Sequence, residues 1–571
     1  MLYSATKLGA PAFWQMGRMF DGMAARVLEN PKANARWVKF RWELRKHLVK
    51  SGKAAFLGTM RRGILGFGRT AIYASFINML CLGPAGVGKD TKVMQPMSCA
   101  LAGHAQTIAC LKGDTDPTLG DALRSLGVDV ESLDIGGVLE GINSATYNPL
   151  HLILDAYLRR NGSSLTDITS DVDQMTMLLS KLAKEAENGN AKFFNFGERR
   201  IVGWAIQYLI MVHGPDATLG DVLQLINDKE ELKTAALYAS HQLEQEDGTL
   251  AGLPINQSHW AGEHDTADLQ AYMEYFKNLS AGIADELMAN DTRTTDNFVT
   301  GARQALGACN ITTRSHKVTK TTSFRFADQK KKGSNLTVIL TMDSSRLQAQ
   351  KPIMELIQYC MLTEWKRAPN KSKHVYFQAN ECTNIEIFDL QSLLTWGRAY
   401  NIKLILYVQS LAAFRKMYGK DAVSTLLSEC DAKLFLPGIR EPESVTLVSK
   451  LCGMASRIVR SHSGHSDVPY GVESVSFKEE KKPLFSEEKV KHMKHAVLII
   501  GDHVVRVWLT SISRIVPFRT KMGQSPYFHK FYLEFPTIIL WRFVSWMPAN
   551  IMRRASLKLR VKFSSISTKG A

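Results

Sequence analysis

Closely spaced cysteines are missing from this chain. Its eight cysteines (Cys81, Cys99, Cys110, Cys309, Cys360, Cys382, Cys430 and Cys452) never come nearer than eleven residues. Without a C-x-x-C pair there is no zinc-site spacing, and scattered free thiols fit a reducing cytosol. Long apolar runs are missing too. A spanning helix needs about 18 to 20 apolar residues. The nearest approach, "FPTIILWRFVSWMPANIM" (535–552), is broken by Arg542 and two prolines. The opening "MLYSATKLGAPAFWQMGRMF" holds only short apolar runs, so neither a signal peptide nor a transmembrane helix is expected. Acids are absent after Glu534, where seven Lys and Arg remain, and from Lys32 to Arg69 one acid, Glu43, stands among eleven Lys and Arg.

What is present begins with size and charge. At 571 residues the chain can bury a sizeable core, in roughly three or four domains. The excess of 71 Lys and Arg over 54 Asp and Glu gives a formal charge of +17. That favours an anionic partner, nucleic acid or a membrane surface, over a merely basic soluble protein. Between the basic ends, Asp228 to Asp296 holds fourteen acids and four Lys and Arg.

Periodicity changes along the chain. "FINMLCL" (76–82) and "AQTIACL" (105–111) read as buried parallel strands. From about 155 to 310 the pattern is helical, with "DVDQMTMLLSKLAKEA" and "ERRIVGWAIQYLIMV" apolar at i, i+3, i+4 and i+7. "DATLGDVLQLIND" opens on an Asp/Thr start suited to capping. Strands return at "NLTVILTM" (335–342), "KHVYFQAN" (373–380), "KLILYVQS" (403–410) and "AKLFLPG" (432–438). "SHSGHSDVPYG" (461–471) reads as a loop, and no internal repeat is present. The pattern predicts an α/β domain interrupted by an all-α insertion.

"GPAGVGK", Gly83 to Lys89, fits G-x-x-x-x-G-K after an apolar strand and before a helix. Glycines 83, 86 and 88 let backbone N–H groups turn toward phosphates, and Lys89 would reach the β- and γ-phosphates. The predicted cofactor-binding stretch is Gly83, Pro84, Ala85, Gly86, Val87, Gly88, Lys89, Asp90 and Thr91. The residue beside the lysine, normally a magnesium-holding hydroxyl, is Asp90, with Thr91 one further on. An acid there either repels phosphate or ligates the metal.

Beyond the loop the chain resembles the coupling proteins of type IV secretion and conjugation, the TraG/TraD type. In that family a strand ends Asp-Pro-Lys-Gly-Glu and Tyr-Asn-Pro-Leu follows. This chain keeps Lys112, Gly113 and Tyr147-Asn148-Pro149-Leu150, with Cys110 in place of the first Asp and Asp114 in place of Glu. "ANARWVKFRWELRK", "AKFFNFGERRIVGWAIQYLI", "LTVILTMDSSRLQAQKPIMELI", "EKKPLFSEEKV" and "VPFRTKMGQSPYF" resemble further segments. The most specific stretch runs from Arg398 to Gln409, and the likeness covers about 33 to 530. It implies a RecA-like P-loop motor, hexameric, at the cytoplasmic face of the bacterial inner membrane. Such a motor hands a relaxase–DNA complex or protein effectors to the secretion channel, and its helical domain contacts the substrate.

The resemblance also implies roles. The magnesium-binding strand is "HVYFQANECTNI", where the family's Asp-Glu reads Asn380-Glu381. Glu381 would polarise the attacking water, and Asn380 with Thr91 would serve magnesium. Gln409 would report the γ-phosphate. Arg398 is either a finger toward a neighbouring subunit's nucleotide or a surface arginine. Asp90, Cys110 and Asn380 depart from the pattern where phosphate or magnesium chemistry is expected, so hydrolysis is slow or lost. The expected domains are a basic segment (1–70), a nucleotide-binding domain in two parts (71–154 and 316–530), an all-α substrate-recognition insertion (155–315) and a basic aromatic tail (531–571). The basic segment, with Trp37, Phe40 and Trp42, suits DNA backbones or anionic lipid, or is a solvated helical face. The tail suits a membrane interface or a membrane-anchored partner. The functional expectation is a coupling ATPase using ATP and Mg2+. Its alternatives are a non-catalytic docking receptor and another hexameric DNA translocase.

Overall fold

The computed structural model describes residues 37–38, 44, 47, 55–61, 69–111, 115–139, 144–160, 162–180, 189–241, 266–289, 292–463 and 474–511. Lys112 to Asp114, the tail 531–571 and most of the basic segment 1–70 lie outside the described residues. The strands, in chain order, are β1 (Ala55–Arg61), β2 (Arg69–Ala74), β3 (Met79–Leu82), β4 (Ala105–Cys110), β5 (Val130–Asp134), β6 (Thr337–Thr341), β7 (Val375–Ala379), β8 (Ile402–Val408), β9 (Ala432–Phe435), β10 (Met454–Ser463), β11 (Ser474–Pro483), β12 (Ala496–Ile500) and β13 (His503–Val507). The chain divides into two compact units, one holding Asp90–Tyr407 and the other Leu57–Lys89 with Val408–Leu509.

In the unit of Asp90–Tyr407 the strands lie side by side in the order β8-β7-β4-β6-β5, all parallel. Every residue of β4, β6 and β7 is buried. Strands covered on both faces read as continuous apolar runs, which is why they are visible in the sequence. Among the polar exceptions, Gln378 and Gln106 are satisfied. Gln378 of β7 donates to the Ser98 hydroxyl (2.8 Å) and to Gln106 of β4 (2.9 Å). Gln106 donates in turn to the Ser98 carbonyl (3.0 Å). These bonds seat helix α1 (Gln95–Ala100), which follows a wide first turn over Asp90–Met94. Pro96 stands at the start of α1, where its missing N–H costs nothing.

Between β5 and β6 every described element is helical. They include α2 (His151–Tyr157), α3 (Asp167–Ser180), α4 (Gly189–His213), α5 (Leu219–Asn227), α6 (Lys229–Ala239), α7 (Thr266–Met288) and α8 (Thr292–Ala305). The expected cap is Thr218: its hydroxyl accepts from the Asp221 amide (3.2 Å), and the Asp221 carboxylate accepts from the Thr218 amide (2.9 Å). That reciprocal pair satisfies two otherwise orphaned donors at the start of α5. Helices α4 and α7 are joined by Trp204, whose indole donates to Ser280 (2.9 Å). Helix α9 (Leu347–Arg367) follows β6, and its Arg367 grips Asp171 of α3 through both guanidinium nitrogens (2.6 and 3.0 Å).

Where the chain passes from strands to helices, Tyr147-Asn148-Pro149-Leu150 is enclosed. The Tyr147 hydroxyl donates to Glu364 (2.7 Å), which also accepts from the Ala327 amide (2.8 Å) and pairs with Arg325 (3.0 Å). Arg325 bridges on to Asp155 of α2. The Asn148 amide donates to the Ala217 carbonyl (2.7 Å), while its oxygen accepts from Leu150 N (3.0 Å). Burial raises the Glu364 carboxyl, against the pull of Arg325, Tyr147 and Ala327.

In the other unit, β3 and β9 are parallel, and β12 runs antiparallel to both β9 and β13. Strand β3 starts at Met79 rather than Phe76, because Asp431 takes the amides of Ile77 (2.9 Å) and Asn78 (3.3 Å) out of strand pairing. β10 and β11 pair antiparallel from Met454↔Pro483 to Ser463↔Ser474. Residues 461–463, expected in a loop, therefore belong to a strand, and 464–473 lie outside the described residues. All eight cysteines are buried and unbridged. No described helix is long and apolar enough to cross a membrane.

Candidate nucleotide site

The predicted phosphate loop leaves the buried end of β3. Gly83 N donates to Val408 O at the end of β8 (3.1 Å), and Leu436 N, just past β9, donates to Leu82 O (2.8 Å). At Gly83 a Cβ would stand 2.7 Å from the Leu436 side chain, so only glycine lets the loop root pass. Gly86 and Gly88 have φ of +77° and +89°, in the left-handed region that other residues avoid. A Cβ on Gly86 would meet nothing within 4 Å, so the loop's crest faces open space.

Lys89 is 6% exposed, and its ammonium donates to the carbonyls of Gly83 (2.8 Å) and Pro84 (3.1 Å). The side chain thus curls back over the loop that a phosphate would fill. Those two neutral acceptors hold the ammonium where an anionic oxygen would compete for it. Gln409 follows the strand end to which Gly83 is bonded, and it is half-buried. The next residue, Ser410, caps α10 (Leu411–Tyr418) by accepting from Ala413 N (3.2 Å).

Sequence reasoning missed Glu441. Its carboxylate accepts from the Ser410 hydroxyl (2.9 Å) and from the amides of Leu411 (3.1 Å) and Ala412 (3.0 Å). Burial works against the charge, yet the bonds from Ser444, Ala412, Ser410 and Leu411 hold Glu441 below the usual carboxylate range. Glu441 therefore fixes the segment that begins at Gln409. Nothing local in "IREPES" marks that role; the contact spans about thirty positions of sequence.

Asp90, Thr91, Asn380, Glu381 and Arg398 lie in the other unit. Asp90 and Thr91 open the wide turn before α1 and are half-buried. Asn380 ends β7 with its amide donating to Ala109 O (2.9 Å). It is 1% exposed, and its side-chain oxygen has no hydrogen-bond partner. Glu381 follows at φ +55°, a left-handed backbone that costs a non-glycine residue about 1 kcal/mol or more and gathers at functional sites. Its carbonyl closes the turn by accepting from Asn384 N (2.7 Å) and Ile385 N (3.1 Å).

Two sequence candidates are placed differently. Cys110 is fully buried, its sulfur against Leu340 O (3.5 Å) and the Thr341 hydroxyl (3.7 Å) of β6. A thiol so enclosed packs one strand on another and meets no phosphate. Arg398 is exposed on the turn Gly397–Tyr400 before β8. The parallel β7 and β8 separate that edge from Asn380 by roughly 20 Å of strand. No described group of three or more His, Cys, Asp or Glu side chains is arranged to hold a metal.

The fold is that of a parallel-stranded domain of RecA type carrying an inserted helical domain. Residues 374–495 match the family model described as the TraM recognition site of TraD and TraG. The fold is similar to the bacterial conjugative coupling protein TrwBdeltaN70 in its unbound monoclinic form, with TM-score 0.51 and 13% identity over 87% of this chain and 97% of that one. It is similar to the trigonal, sulphate-bound form of the same protein, with TM-score 0.50 and 13% identity over 84% and 92%. A third similar structure is plasmid coupling protein TrwB with a non-hydrolysable ATP analogue, at TM-score 0.50 and 13% identity over 85% and 96%. No curated protein sequence matches. Residues 374–495 thus resemble the TraM recognition site of TraD and TraG, within a chain whose fold is similar to that of TrwB.

Proposed function

We propose that this protein is a coupling ATPase of a type IV secretion or conjugation system. It recruits a relaxase–DNA complex or protein effectors to the secretion channel through ATP binding and hydrolysis. The observation that carries this reading is the family match over 374–495 on a coupling-protein fold with a complete glycine-lysine loop. The similar TrwB structure with an ATP analogue supports ATP as the ligand.

In this reading the loop Gly83 to Lys89 cradles the phosphates, and Lys89 exchanges the Gly83 and Pro84 carbonyls for phosphate oxygens. Magnesium, when bound, would supply charge neutralisation at the phosphates. Its candidate holders are Asn380, whose oxygen lacks a donor, and Thr91, the first hydroxyl after the lysine. Glu381 orients the attacking water from its strained turn, and Gln409 senses the γ-phosphate. Arg398, exposed at the opposite strand edge, serves a neighbouring subunit's nucleotide in a hexamer. The domains act as read from the sequence: nucleotide-binding parts at 71–154 and 316–530, a substrate-recognising insertion at 155–315, and basic ends (1–70 and 531–571) that hold the protein at the inner membrane or on DNA. The cargo meets the acidic insertion.

A second reading is a docking receptor that binds nucleotide without turning it over. Asn380 and Asp90 favour it, because each changes a residue type that magnesium chemistry ordinarily uses. Magnesium-dependent ATP hydrolysis, with and without single-stranded DNA and beside Lys89→Ala, separates the two. DNA-stimulated turnover abolished by the substitution supports the motor. Tight ATP binding without turnover supports the receptor.

A further inference from the structure

Two departures at this site carry opposite changes of charge. An ordinary P-loop site meets its metal with a neutral hydroxyl beside the loop lysine and a carboxylate at a strand end. Here a carboxylate, Asp90, stands beside the lysine, and a neutral amide, Asn380, ends the strand. Both residues belong to the same unit.

The fold brings them to one edge. Helix α1 runs back along the strands, since Gln106, the second residue of β4, donates to the carbonyls of Ser98 and Leu101 at the helix end. The helix start therefore lies at the strands' carboxyl ends. Gln378 of β7 is bonded to Ser98. Asn380 stands two residues up the strand from that bond, about 7 Å. Asp90 stands eight residues up the helix, about 12 Å or less given its wide first turn. The two thus lie within about 5 Å of each other along the strand direction. The Asn380 side-chain oxygen is buried without a donor, an arrangement that is unfavourable unless a ligand completes it. A hard divalent cation takes oxygen ligands and keeps several waters, so a coordinated water could complete it.

We propose that the metal-facing carboxylate has changed places in this chain, with Asp90 supplying the anionic ligand and Asn380 a neutral oxygen. The sum of charge is that of an ordinary site, with the two positions exchanged. Asp90 is then the charged residue beside the loop lysine that meets the metal. The exchange rests on the nucleotide-site reading above.

The experiment uses the full chain, ADP and Mn2+. Free Mn2+ is followed by electron paramagnetic resonance, and ADP binding is titrated with and without metal. Asp90→Ser should weaken Mn2+ uptake with ADP about ten- to a hundredfold. Its metal-free ADP affinity should be retained or raised, which also reports an intact fold. Asp90→Ser with Asn380→Asp should recover most of the loss. Unchanged Mn2+ affinity in Asp90→Ser overturns the exchange, as does a double variant no better than the single. In those outcomes ADP binding that still depends on Lys89 leaves the nucleotide site standing. ADP binding that ignores Lys89→Ala removes the nucleotide site and the exchange with it.

Discussion

The Asn380–Glu381 turn and the cluster of Tyr147, Arg325 and Glu364 are both polar, both largely buried and both in the same unit, yet they are built in opposite ways. In the cluster Glu364 is fully enclosed and has three partners: a hydroxyl, an amide and a guanidinium. At the turn Asn380 keeps an oxygen without a donor, and Glu381 sits in a left-handed backbone. A buried polar group stabilises a fold only when its partners are all present. Glu364 meets that condition, and the cluster around it splices the helical insertion to the strands. The turn does not, and an unsatisfied, strained element persists where a ligand completes it.

The contrast can be broken most directly at Glu364. Glu364→Ala strands the buried Arg325 charge together with the Tyr147 hydroxyl and the Ala327 amide. We expect a loss of about 3–5 kcal/mol in urea unfolding; a loss below about 1 kcal/mol would mean that the cluster is not what joins the two parts. Asn148→Ala removes the bonds to Ala217 and Leu150, and the same measurement should show about 2 kcal/mol. On the turn the sign reverses. Glu381→Gly accepts φ +55° without strain and should raise stability by about 0.5–1 kcal/mol. The same variant should lower any ATP turnover about a hundredfold. A destabilised Glu381→Gly would show that the turn is held by packing rather than awaiting a ligand.

The smallest effect concerns pH. The Glu441 carboxyl titrates lower in the folded protein than in the unfolded chain. The unfolded state therefore binds its proton first as pH falls, and the stability Glu441 supplies is full above its unfolded value and lost as pH drops through the folded one. The group is partly solvated, so the contribution is below about 1 kcal/mol. Acid unfolding of Glu441→Gln beside the unaltered protein should show a shallower loss of stability below about pH 4.5. Equal slopes would place the acid sensitivity elsewhere.

The parallel strands were legible because both their faces are covered. β4, β6 and β7 appear as apolar runs with ends within two residues of those expected. The helical insertion was legible from its 3.6-residue pattern, and the start of α5 from Thr218 and Asp221. Strands β10 and β11 were not. Their sequences, as in "SVSFKEEKKP", hold no continuous apolar run, and the cross-strand pairing makes them strands. Cys110 looked like a site residue because its neighbours carry a motif, while its burial depends on where β6 lies.

By itself the sequence determined the class of fold: a glycine-lysine loop after a buried strand, parallel strands around a helical insertion, and a stretch, 374–495, that matches a TraD and TraG family model. These are local signals, because phosphate loops and buried strands depend on residues adjacent in the chain. Only the tertiary structure decided which polar residues are satisfied. Glu364 and Glu441 are both acids in the sequence, and Asn148 and Asn380 are both asparagines. Partners reached from far along the chain make Glu364, Glu441 and Asn148 structural, whereas the buried Asn380 side-chain oxygen has no hydrogen-bond partner. Hydrogen-bond satisfaction is a property of what folds against a residue, so no local pattern can carry it.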